Sequence, residues 1–187
     1  MTCIITLAGP AKVGKTTTAK AIVKILQSQY NLKITHYAFA EPLYDVCSLL
    51  TGIPKDILSD TVYKETVWTE ETAPVKSLIG WTPRQFLQKV GTEGIRENVN
   101  YNFWVETAIR NVKDFNIVIF ADGRFENEFE ASNLVIEIQR YPIKYACNHA
   151  SSMPPDPKNV DITLDLNKVV DFNEVSDIIF SKYVRGN

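Results

Sequence analysis

Eight residues near the start of the chain have the types and spacing needed to hold phosphate groups. Residues 9–16 read Gly-Pro-Ala-Lys-Val-Gly-Lys-Thr, which fits the pattern Gly-x-x-x-x-Gly-Lys-Thr. Gly9 and Gly14 let the backbone turn sharply, so successive N–H groups can point at phosphate oxygens. In such a loop Lys15 reaches the β- and γ-phosphates of a nucleotide, and the Thr16 hydroxyl ligates Mg²⁺. The loop backbone assigned to the phosphates comprises Gly9, Ala11, Lys12, Val13 and Gly14.

The segments on either side of this loop have the patterns that a phosphate-binding loop requires. An apolar run at 4–8 predicts a buried strand before the loop. Residues 16–29 carry apolar side chains at helical spacing, which predicts a helix whose N-terminus faces the phosphates. The alternative is a glycine turn between a strand and a helix with no ligand.

Length and composition indicate a soluble single-domain protein. The chain has 187 residues, of which 45% are hydrophobic and 22% charged, and its net charge is −2. It carries no basic excess for nucleic acid and no apolar run long enough to span a bilayer, so we expect small-molecule partners. Its three cysteines are odd in number and widely spaced, which favours a reducing cytoplasm over a disulfide framework or zinc site.

Strand and helix patterns alternate along the rest of the chain. Apolar runs predict strands at 33–39, 116–121, 134–138 and 161–166, and helical spacing predicts helices at 102–112, 126–132 and 172–183. This alternation predicts an α/β fold, a parallel sheet with helices on both faces. We expect one domain over 1–187, with a core at 1–58 and 114–187, a helical acceptor-binding insertion at about 59–113 and a lid-like loop at about 141–158.

The region between the second and third strands is predicted to be largely helical. A helix opens at Glu41-Pro42 and ends before Gly52. Residues 59–83 lack periodicity and are predicted to be mostly irregular. The buried face expected for the helix at 41 comprises Leu43, Val46, Leu49 and Leu50.

A second helix in this region has a polar face that could bind a ligand. Thr82-Pro83 caps and starts it, and Phe86, Leu87 and Val90 form its apolar side. A glycine inside a helix costs about 1 kcal/mol, and close approach of a ligand would be a reason to tolerate Gly91. The predicted polar face comprises Arg84, Gln88, Gly91 and Thr92.

One acid and four arginines could complete a phosphate site. Asp122 follows an apolar strand, where an acid can hold Mg²⁺ or cap the next turn. Phosphoryl transfer needs mainly positioning and positive charge. An arginine of this kind is more often a solvated surface charge when it is taken alone, but four of them at strand ends and beside a glycine favour a phosphate site. They are Arg84, Arg96, Arg124 and Arg140.

Several sequence blocks resemble a known family, the bacteriophage deoxynucleoside monophosphate kinases. The similarity runs in order from the phosphate-binding loop to about position 149. Its most specific parts are the Leu-Gln-x-x-Gly-Thr and Asp-x-Arg-Phe-x-Asn-Glu patterns. The blocks are Phe39-Ala40-Glu41-Pro42-Leu43, Thr82-Pro83-Arg84 with Leu87-Gln88, Gly91-Thr92-Glu93, Arg96, Phe103-Trp104-Val105 and Asp122-Gly123-Arg124-Phe125-Glu126-Asn127-Glu128.

The resemblance implies a nucleoside monophosphate kinase fold, with ATP and Mg²⁺ as phosphoryl source and a deoxynucleoside monophosphate as acceptor. ATP and metal are assigned to Lys15, Thr16, Thr17, Asp122 and Arg140. The catalytic edge comprises Lys15, Asp122, Arg124 and Glu128. The acceptor pocket comprises Phe39, Pro42, Arg84, Gln88, Gly91, Thr92, Arg96 and Trp104.

The chain departs from the family pattern at several positions. Glu126 stands where a proline is usual, and Gly123 replaces a β-branched or small apolar residue. The lid lacks a cluster of arginines, which gives Arg140 more weight. Helical register with Ala108 makes core packing of Trp104 an alternative to contact with a base.

Three functions remain after the sequence is read. The first is a deoxynucleoside monophosphate kinase, in which a dianionic acceptor phosphate needs cations and no strong general base. This agrees with a chain whose two histidines, His36 and His149, lie outside any nucleophile-base pattern. The second is a P-loop kinase of another small acceptor, such as dephospho-coenzyme A, and the third is a nucleotide-binding switch. The sequence leaves open whether the chain is a monomer or a homodimer.

Overall fold

The computed structural model describes residues 2–145 and 153–186, which form two compact units. The first unit comprises residues 1–39 and 109–187, and the second comprises residues 40–108. His149 and Cys147, with the central part of the predicted lid, lie outside the described residues. The division into a kinase core and an insertion at about 59–113 stays a prediction.

The first unit is built on a sheet of five parallel strands, as the alternation of patterns predicts. Their order is β2-β3-β1-β4-β5, so β1 lies in the centre. The chain leaves β1 toward one edge of the sheet and later crosses to the other edge between β3 and β4. Ligands in such sheets bind where the connections diverge, beyond the carboxyl ends of the strands. The strands are β1 Cys3–Ala8, β2 Ile34–Tyr37, β3 Ile117–Gly123, β4 Leu134–Gln139 and β5 Ile162–Asp165.

Helices cover both faces of this sheet. The larger core lies on one face, where α1 (Lys15–Gln29) and α7 (Phe172–Gly186) pack against alternate residues of β1, β3 and β4. The side chains of Val175 and Ile179 on α7 are buried there, as their spacing predicts. On the opposite face, Phe129 of the short helix α6 (Glu126–Glu130) packs against Ala8 and Val135.

The chain bends at the carboxyl end of β3, where Gly123 lies close to β1. A Cβ atom on Gly123 would lie 2.2 Å from Cγ2 of Thr6 and 3.0 Å from Cε1 of Phe129. The pairing of β1 with β3 shifts register between Thr6 and Ala8, opposite this glycine. The family pattern has a larger residue at this position. The close approach of Thr6 explains why this chain has a glycine there.

We expect Gly123→Ala to destabilise the protein by roughly 1 to 3 kcal/mol, because the new methyl group overlaps the Thr6 methyl. Thr6→Ser removes that methyl but keeps the hydroxyl, which lies 2.6 Å from Ser132 Oγ. The double variant is therefore expected to unfold at a higher denaturant concentration than the sum of the single effects predicts. If the changes in free energy of unfolding of the two single variants add up exactly to that of the double variant, the Thr6 methyl is not what opposes a side chain at position 123.

The second unit is helical, with a small core of its own. Cys47, Leu58 and Leu87 form this core, with Tyr63 and Phe86 packed against it. Its helical segments are α2 Glu41–Thr51, α3 Lys55–Ser59, α4 Pro83–Gln88, a π-helical segment Lys89–Arg96 and α5 Phe103–Asn111. The last residues of α5 belong to the first unit.

The prediction of which residues of α2 are buried is wrong. The helix begins at Glu41 and ends before Gly52, as predicted, and Gly52 caps it in the left-handed conformation. Its buried residues, however, are Pro42 and Cys47. Leu49 is 86% exposed, and two further residues of the predicted face, Val46 and Leu50, are also exposed. Cys47, a small residue that the apolar pattern did not single out, takes the core position.

The segment predicted to be irregular is anchored by one tryptophan. Trp68 is 1% exposed, its backbone N–H donates to the Trp81 carbonyl, and its carbonyl accepts from the Gly80 N–H. Its indole N–H donates to the Tyr63 hydroxyl at 3.1 Å. Within this segment two short 3₁₀ turns form, at Tyr63–Glu65 and Lys76–Leu78. These contacts order a stretch that has little helix or strand.

Candidate functional site: a phosphate-binding loop

The loop after β1 has the backbone conformation of an anion-binding nest. Three of its residues have positive φ, namely Gly9 at 142°, Lys12 at 64° and Gly14 at 113°. Val13 is fully buried and anchors the loop to the core below it. This conformation turns successive backbone N–H groups inward, toward the start of α1 at Lys15.

The two loop glycines are needed for different reasons. A Cβ atom on Gly9 would lie 2.6 Å from the carbonyl oxygen of Ile138 in β4, a backbone contact that cannot move aside. On Gly14, a Cβ would lie 3.3 Å from Cδ1 of Leu166 and 3.7 Å from Nη2 of Arg140. The first glycine lets the loop cross the sheet edge, and the second leaves room beside Arg140.

Lys15 is folded back over the loop. Its Nζ donates to the carbonyls of Gly9 at 2.7 Å and Pro10 at 2.8 Å. The pKa of this lysine is lowered to about 8, chiefly because the group is buried and also because of the nearby Arg124 guanidinium, while the Asp122 carboxylate offsets part of the shift. A phosphate group placed in the loop would supply the negative charge that this desolvated ammonium group otherwise lacks.

The lowered pKa of Lys15 predicts a pH dependence of stability. Its folded-state pKa of about 8 lies below the value of 10.5 that it has without these surroundings. Between these two values the Lys15 site binds more protons in the unfolded chain, so its own contribution to the stability of the nucleotide-free protein rises with pH across this window. We expect denaturant titrations between pH 7.5 and 10.5 to show that the free energy of unfolding of the wild-type protein, measured relative to that of Lys15→Met, increases with pH. Equal slopes in both proteins would contradict the assignment.

Asp122 and Arg124 lie at the carboxyl end of β3, and both act on Lys15 electrostatically. Asp122 Oδ1 accepts a hydrogen bond from the Phe39 N–H at 2.8 Å, so one carboxylate oxygen ties β3 to the end of β2. Arg124 is exposed. The structure therefore places three of the predicted catalytic residues at one edge of the sheet.

Glu128, the fourth predicted catalytic residue, supports the chain beneath this edge. It is 3% exposed, and its Oε2 accepts from the backbone N–H groups of Arg124 at 2.7 Å and Phe125 at 3.1 Å. We therefore interpret Glu128 as a positioning residue that holds the turn carrying Arg124. The sequence did not distinguish this role, because a buried carboxylate and a catalytic one have the same residue type.

The residues predicted to hold Mg²⁺ have suitable chemistry. Thr16 is exposed in the first turn of α1, and Asp122 is half-buried at the end of β3. Hydroxyl and carboxylate oxygens suit Mg²⁺, which usually keeps several waters and takes its remaining ligands from substrate phosphates. Among the described residues no group of three or more His, Cys, Asp or Glu is arranged to hold a metal ion by itself.

A groove opens beside the phosphate-binding loop, and we call it the Arg140 groove. It has a volume of about 250 Å³ and lies within the first unit. The predicted nucleotide residues Gly14, Thr17 and Arg140 line it. The sequence prediction missed its other wall, because the segment after β5 contains no motif. The lining residues are Gly14, Thr17, Thr18, Ala21, Arg140, Leu166, Lys168, Val170 and Phe172.

Phe39, predicted to wall a base, is packed within the first unit. It is 2% exposed, and its ring stacks on Phe120 with centroids 3.9 Å apart. Its backbone N–H is bonded to Asp122. The structure thus gives Phe39 a packing role beside Asp122.

Several predicted acceptor residues of the second unit are also buried by packing. A Cβ on Gly91 would lie 2.7 Å from Cδ2 of Leu43, so close packing explains this glycine without a ligand. The Gly91 carbonyl accepts from the Trp104 indole N–H at 2.8 Å, and Trp104 is buried, which favours the packing alternative for it. Arg96 is buried, with Nη1 donating to the Tyr101 carbonyl at 3.3 Å. Pro42 is buried in the first turn of α2.

The predicted polar helix face is interrupted by a change of helix type. Thr82 and Gln85 form the expected capping box, and α4 begins at Pro83. From Lys89 the chain continues as a π-helix, and the Glu97 N–H donates five residues back, to the Thr92 carbonyl. The change of pitch breaks the single face predicted for this segment. Gln88 and Thr92 are half-buried.

Arg84 remains available on α4. It is part-exposed, and its Nε donates to Oε1 of Glu65 at 2.6 Å. Glu65 belongs to the segment that the sequence left uninterpreted. A carboxylate on Nε fixes the plane of the guanidinium group and leaves its Nη groups for another anion.

A parallel sheet with a Gly-x-x-x-x-Gly-Lys-Thr loop between β1 and α1 defines a P-loop NTPase fold. Neither a model of a known protein family nor a curated protein matches the sequence. Among solved structures, the chain is similar to a crystal structure of shikimate kinase from Aquifex aeolicus. The two share 13% sequence identity over 96% of this chain and 95% of that chain, with a TM-score of 0.43. Within the described residues, no helix combines the length and apolar character needed to cross a membrane.

Proposed function

We propose that this protein is a deoxynucleoside monophosphate kinase, which transfers the γ-phosphoryl group of ATP to a deoxynucleoside monophosphate and yields a diphosphate and ADP. The observation that carries the proposal is the grouping of Lys15, Asp122 and Arg124 around the phosphate-binding loop. Phosphoryl transfer depends on positioned positive charge, which Lys15 and Arg124 supply where a γ-phosphate would lie, while the Asp122 carboxylate would hold Mg²⁺.

ATP would occupy the first unit. Its phosphates bind the backbone N–H groups of the loop and the Lys15 ammonium group, which leaves the Gly9 and Pro10 carbonyls. Its base lies in the Arg140 groove, which has partly buried apolar side chains beside the guanidinium group. Mg²⁺, held by Thr16 and Asp122, would neutralise charge on the phosphates.

The acceptor assignment is supported by the family resemblance and by the chemistry of a phosphate acceptor. A nucleoside monophosphate is largely dianionic at neutral pH, so the enzyme must neutralise its charge and need not remove a proton with a strong base. We assign this phosphate to Arg84, with Gln88 and Thr92 as further polar contacts. The buried Arg96, Gly91 and Trp104 then shape the helix that carries these groups.

Two other functions compete with this proposal. A P-loop kinase of another small acceptor, such as dephospho-coenzyme A, would share the loop and the sheet. A nucleotide-binding switch would hydrolyse ATP without transferring its phosphoryl group to a small molecule. The acceptor blocks around Arg84 and the Asp122 edge favour the nucleotide acceptor.

A panel of acceptors separates the three functions. The purified protein is incubated with ATP, Mg²⁺ and, one at a time, each dNMP, each rNMP and dephospho-coenzyme A, while ADP release is followed. We expect ADP release that depends on at least one dNMP, with formation of the matching diphosphate. Release that depends only on dephospho-coenzyme A, or that is equal without any acceptor, would overturn the proposal.

The acceptor role of Arg84 predicts a selective loss of binding. Arg84→Ala removes a charge-assisted contact to the acceptor phosphate, so the KM for the dNMP is expected to rise at least about tenfold while the KM for ATP changes little. Initial rates at varied concentrations of each substrate measure both values. Lys89→Ala, which removes an exposed cation one turn further along, is the matched control and should leave both KM values near wild type. An unchanged KM for the dNMP in Arg84→Ala would contradict the acceptor role and leave Arg84 with only its surface ion pair to Glu65.

A further inference from the structure

Two adjacent residues of the second unit, Lys64 and Glu65, reach two different helices. Lys64 Nζ donates to the hydroxyl of Tyr44 on α2 at 2.6 Å. Glu65 Oε1 accepts from Nε of Arg84 on α4, also at 2.6 Å. Both residues belong to the 3₁₀ turn Tyr63–Glu65. A single turn therefore links α2 to the helix that carries the proposed acceptor arginine.

This 3₁₀ turn is held in place by the fold of the second unit. Asp60 Oδ1 accepts from the backbone N–H groups of Val62 at 2.9 Å and Tyr63 at 2.7 Å, which fixes the start of the turn. The Tyr63 ring packs against the core of the unit, and its hydroxyl accepts from the indole N–H of the buried Trp68. Lys64 therefore extends from a backbone that is ordered before a ligand binds, which lowers the entropic cost of using its side chain.

The Lys64 ammonium group is positioned by Tyr44 in two ways. It donates to the phenol oxygen, and it lies 4.9 Å from the centroid of the ring. Lys64 is half-buried, and the Tyr44 ring packs against the core of the unit. An ammonium group has three N–H donors, and a phenol that accepts a hydrogen bond has one O–H donor of its own. The pair can therefore present several donors and one positive charge to an anion.

The charge balance around Arg84 calls for a second cation. A monophosphate acceptor carries a charge of about −1.5 to −2 at neutral pH. Arg84 brings one positive charge, but its ion pair with Glu65 offsets that charge, so the two side chains together have no net charge. Lys64, next to Glu65 in the chain, adds the positive charge that this ion pair lacks.

We propose that Lys64 is a second cation of the acceptor site, where it binds the phosphate of the nucleoside monophosphate together with Arg84, and that Tyr44 positions its ammonium group. This inference rests on the proposed function, because it extends the acceptor site assigned to Arg84. Lys64 acts on the phosphate of the acceptor and does not contact its base.

Binding of an acceptor with and without its phosphate tests this role. Isothermal titration of Lys64→Met is expected to give a Kd for the dNMP at least about fivefold higher than that of the wild-type protein, because a charge-assisted contact is lost. The Kd of the matching deoxynucleoside, which lacks the phosphate, and the Kd of ATP with Mg²⁺ should change little. Lys64→Arg keeps the charge and should retain most of the affinity for the dNMP.

Three further variants separate the charge of Lys64 from its contact with Tyr44. Lys64→Gln can keep a hydrogen bond to Tyr44 but has no charge, so it should lose as much dNMP affinity as Lys64→Met. Tyr44→Phe keeps the ring and removes the hydroxyl, and a smaller rise in Kd, limited to the dNMP, is expected. Lys76→Met removes an exposed lysine from the other 3₁₀ turn of this region and should keep the wild-type Kd.

An unchanged Kd for the dNMP in a folded Lys64→Met or Lys64→Gln protein would overturn the inference. An equal rise in Kd for the dNMP and the deoxynucleoside would also overturn it, because Lys64 would then support only the fold. Circular dichroism spectra check that the variants are folded.

Transfer assays with ATP distinguish this inference from the proposed function. Binding of a dNMP that depends on Lys64, without transfer to any dNMP, would refute the kinase and keep the phosphate site. Transfer to a dNMP whose Kd is unaffected by Lys64→Met would do the reverse. A wild-type protein that binds no dNMP would refute both.

Discussion

Lys15→Ala is expected to lower kcat by at least about 10²-fold, the largest effect of any single substitution in this account. The Lys15 ammonium group donates to two loop carbonyls, and bound phosphates would replace these carbonyls as its partners. The Lys15 ammonium group is desolvated by burial. Its charge therefore stabilises the transition state most strongly when negative charge develops on the transferred phosphoryl group. Steady-state turnover with saturating nucleotide and dNMP measures the effect.

The control for Lys15→Ala is Lys24→Ala, which removes an exposed lysine from the same helix. It is expected to keep wild-type turnover. The Lys15 variant should remain folded, since it loses a desolvated charge that folding does not favour. A folded Lys15→Ala protein with near-normal turnover would refute the role of the loop.

Arg124→Ala is expected to give the second large loss, again about 10²-fold or more in kcat. Arg124 is exposed just after β3, and its positive charge lowers the pKa of Lys15, so the two cations lie near each other. The substitution removes no core packing, so thermal unfolding should change little. Turnover and unfolding temperature are measured on the same preparation.

The matched control is Arg110→Ala, which removes an exposed arginine of α5 away from the predicted site. It should affect neither quantity. Arg124→Lys adds a further comparison, because it keeps the charge but loses the guanidinium fork. Kinetics in Arg124→Ala equal to those of the wild-type protein would make Arg124 an ordinary surface charge.

The sheet and its phosphate-binding loop could be predicted because local pattern and tertiary structure agree there. The apolar runs of β1, β3 and β4 are buried on both faces, so their residue types alone reveal them. The glycines of the loop are likewise required by backbone geometry, at Gly9 and Gly14, and geometry of this kind leaves a fixed sequence pattern.

The second unit could not be predicted as well, because its packing does not follow helical spacing. The π-helical segment after α4 shifts every later side chain relative to an α-helical pattern, so Gly91 faces Leu43 and a shared polar face is lost. On α2, Leu49 is exposed although it is apolar, and Cys47 is buried. Trp68 orders its segment through long-range contacts that no short window contains.

In the candidate site, too, the residues set by local pattern could be predicted and those set by long-range packing could not. Lys15, Asp122 and Arg124 come together as predicted, because they follow the carboxyl ends of neighbouring parallel strands. The Arg140 groove was half predicted, since its second wall consists of ordinary apolar residues after β5. The partnership of Glu65 with Arg84 depends on the fold of an irregular segment and left no pattern in the sequence.

The most direct test of the account follows the γ-phosphoryl group itself. The protein is incubated with γ-³²P-labelled ATP, Mg²⁺ and a mixture of the dNMPs, and the products are separated by chromatography. The account predicts that the label appears in a deoxynucleoside diphosphate and that Lys15→Ala abolishes this transfer. Label found only in inorganic phosphate, or retained entirely in the triphosphate, would contradict it.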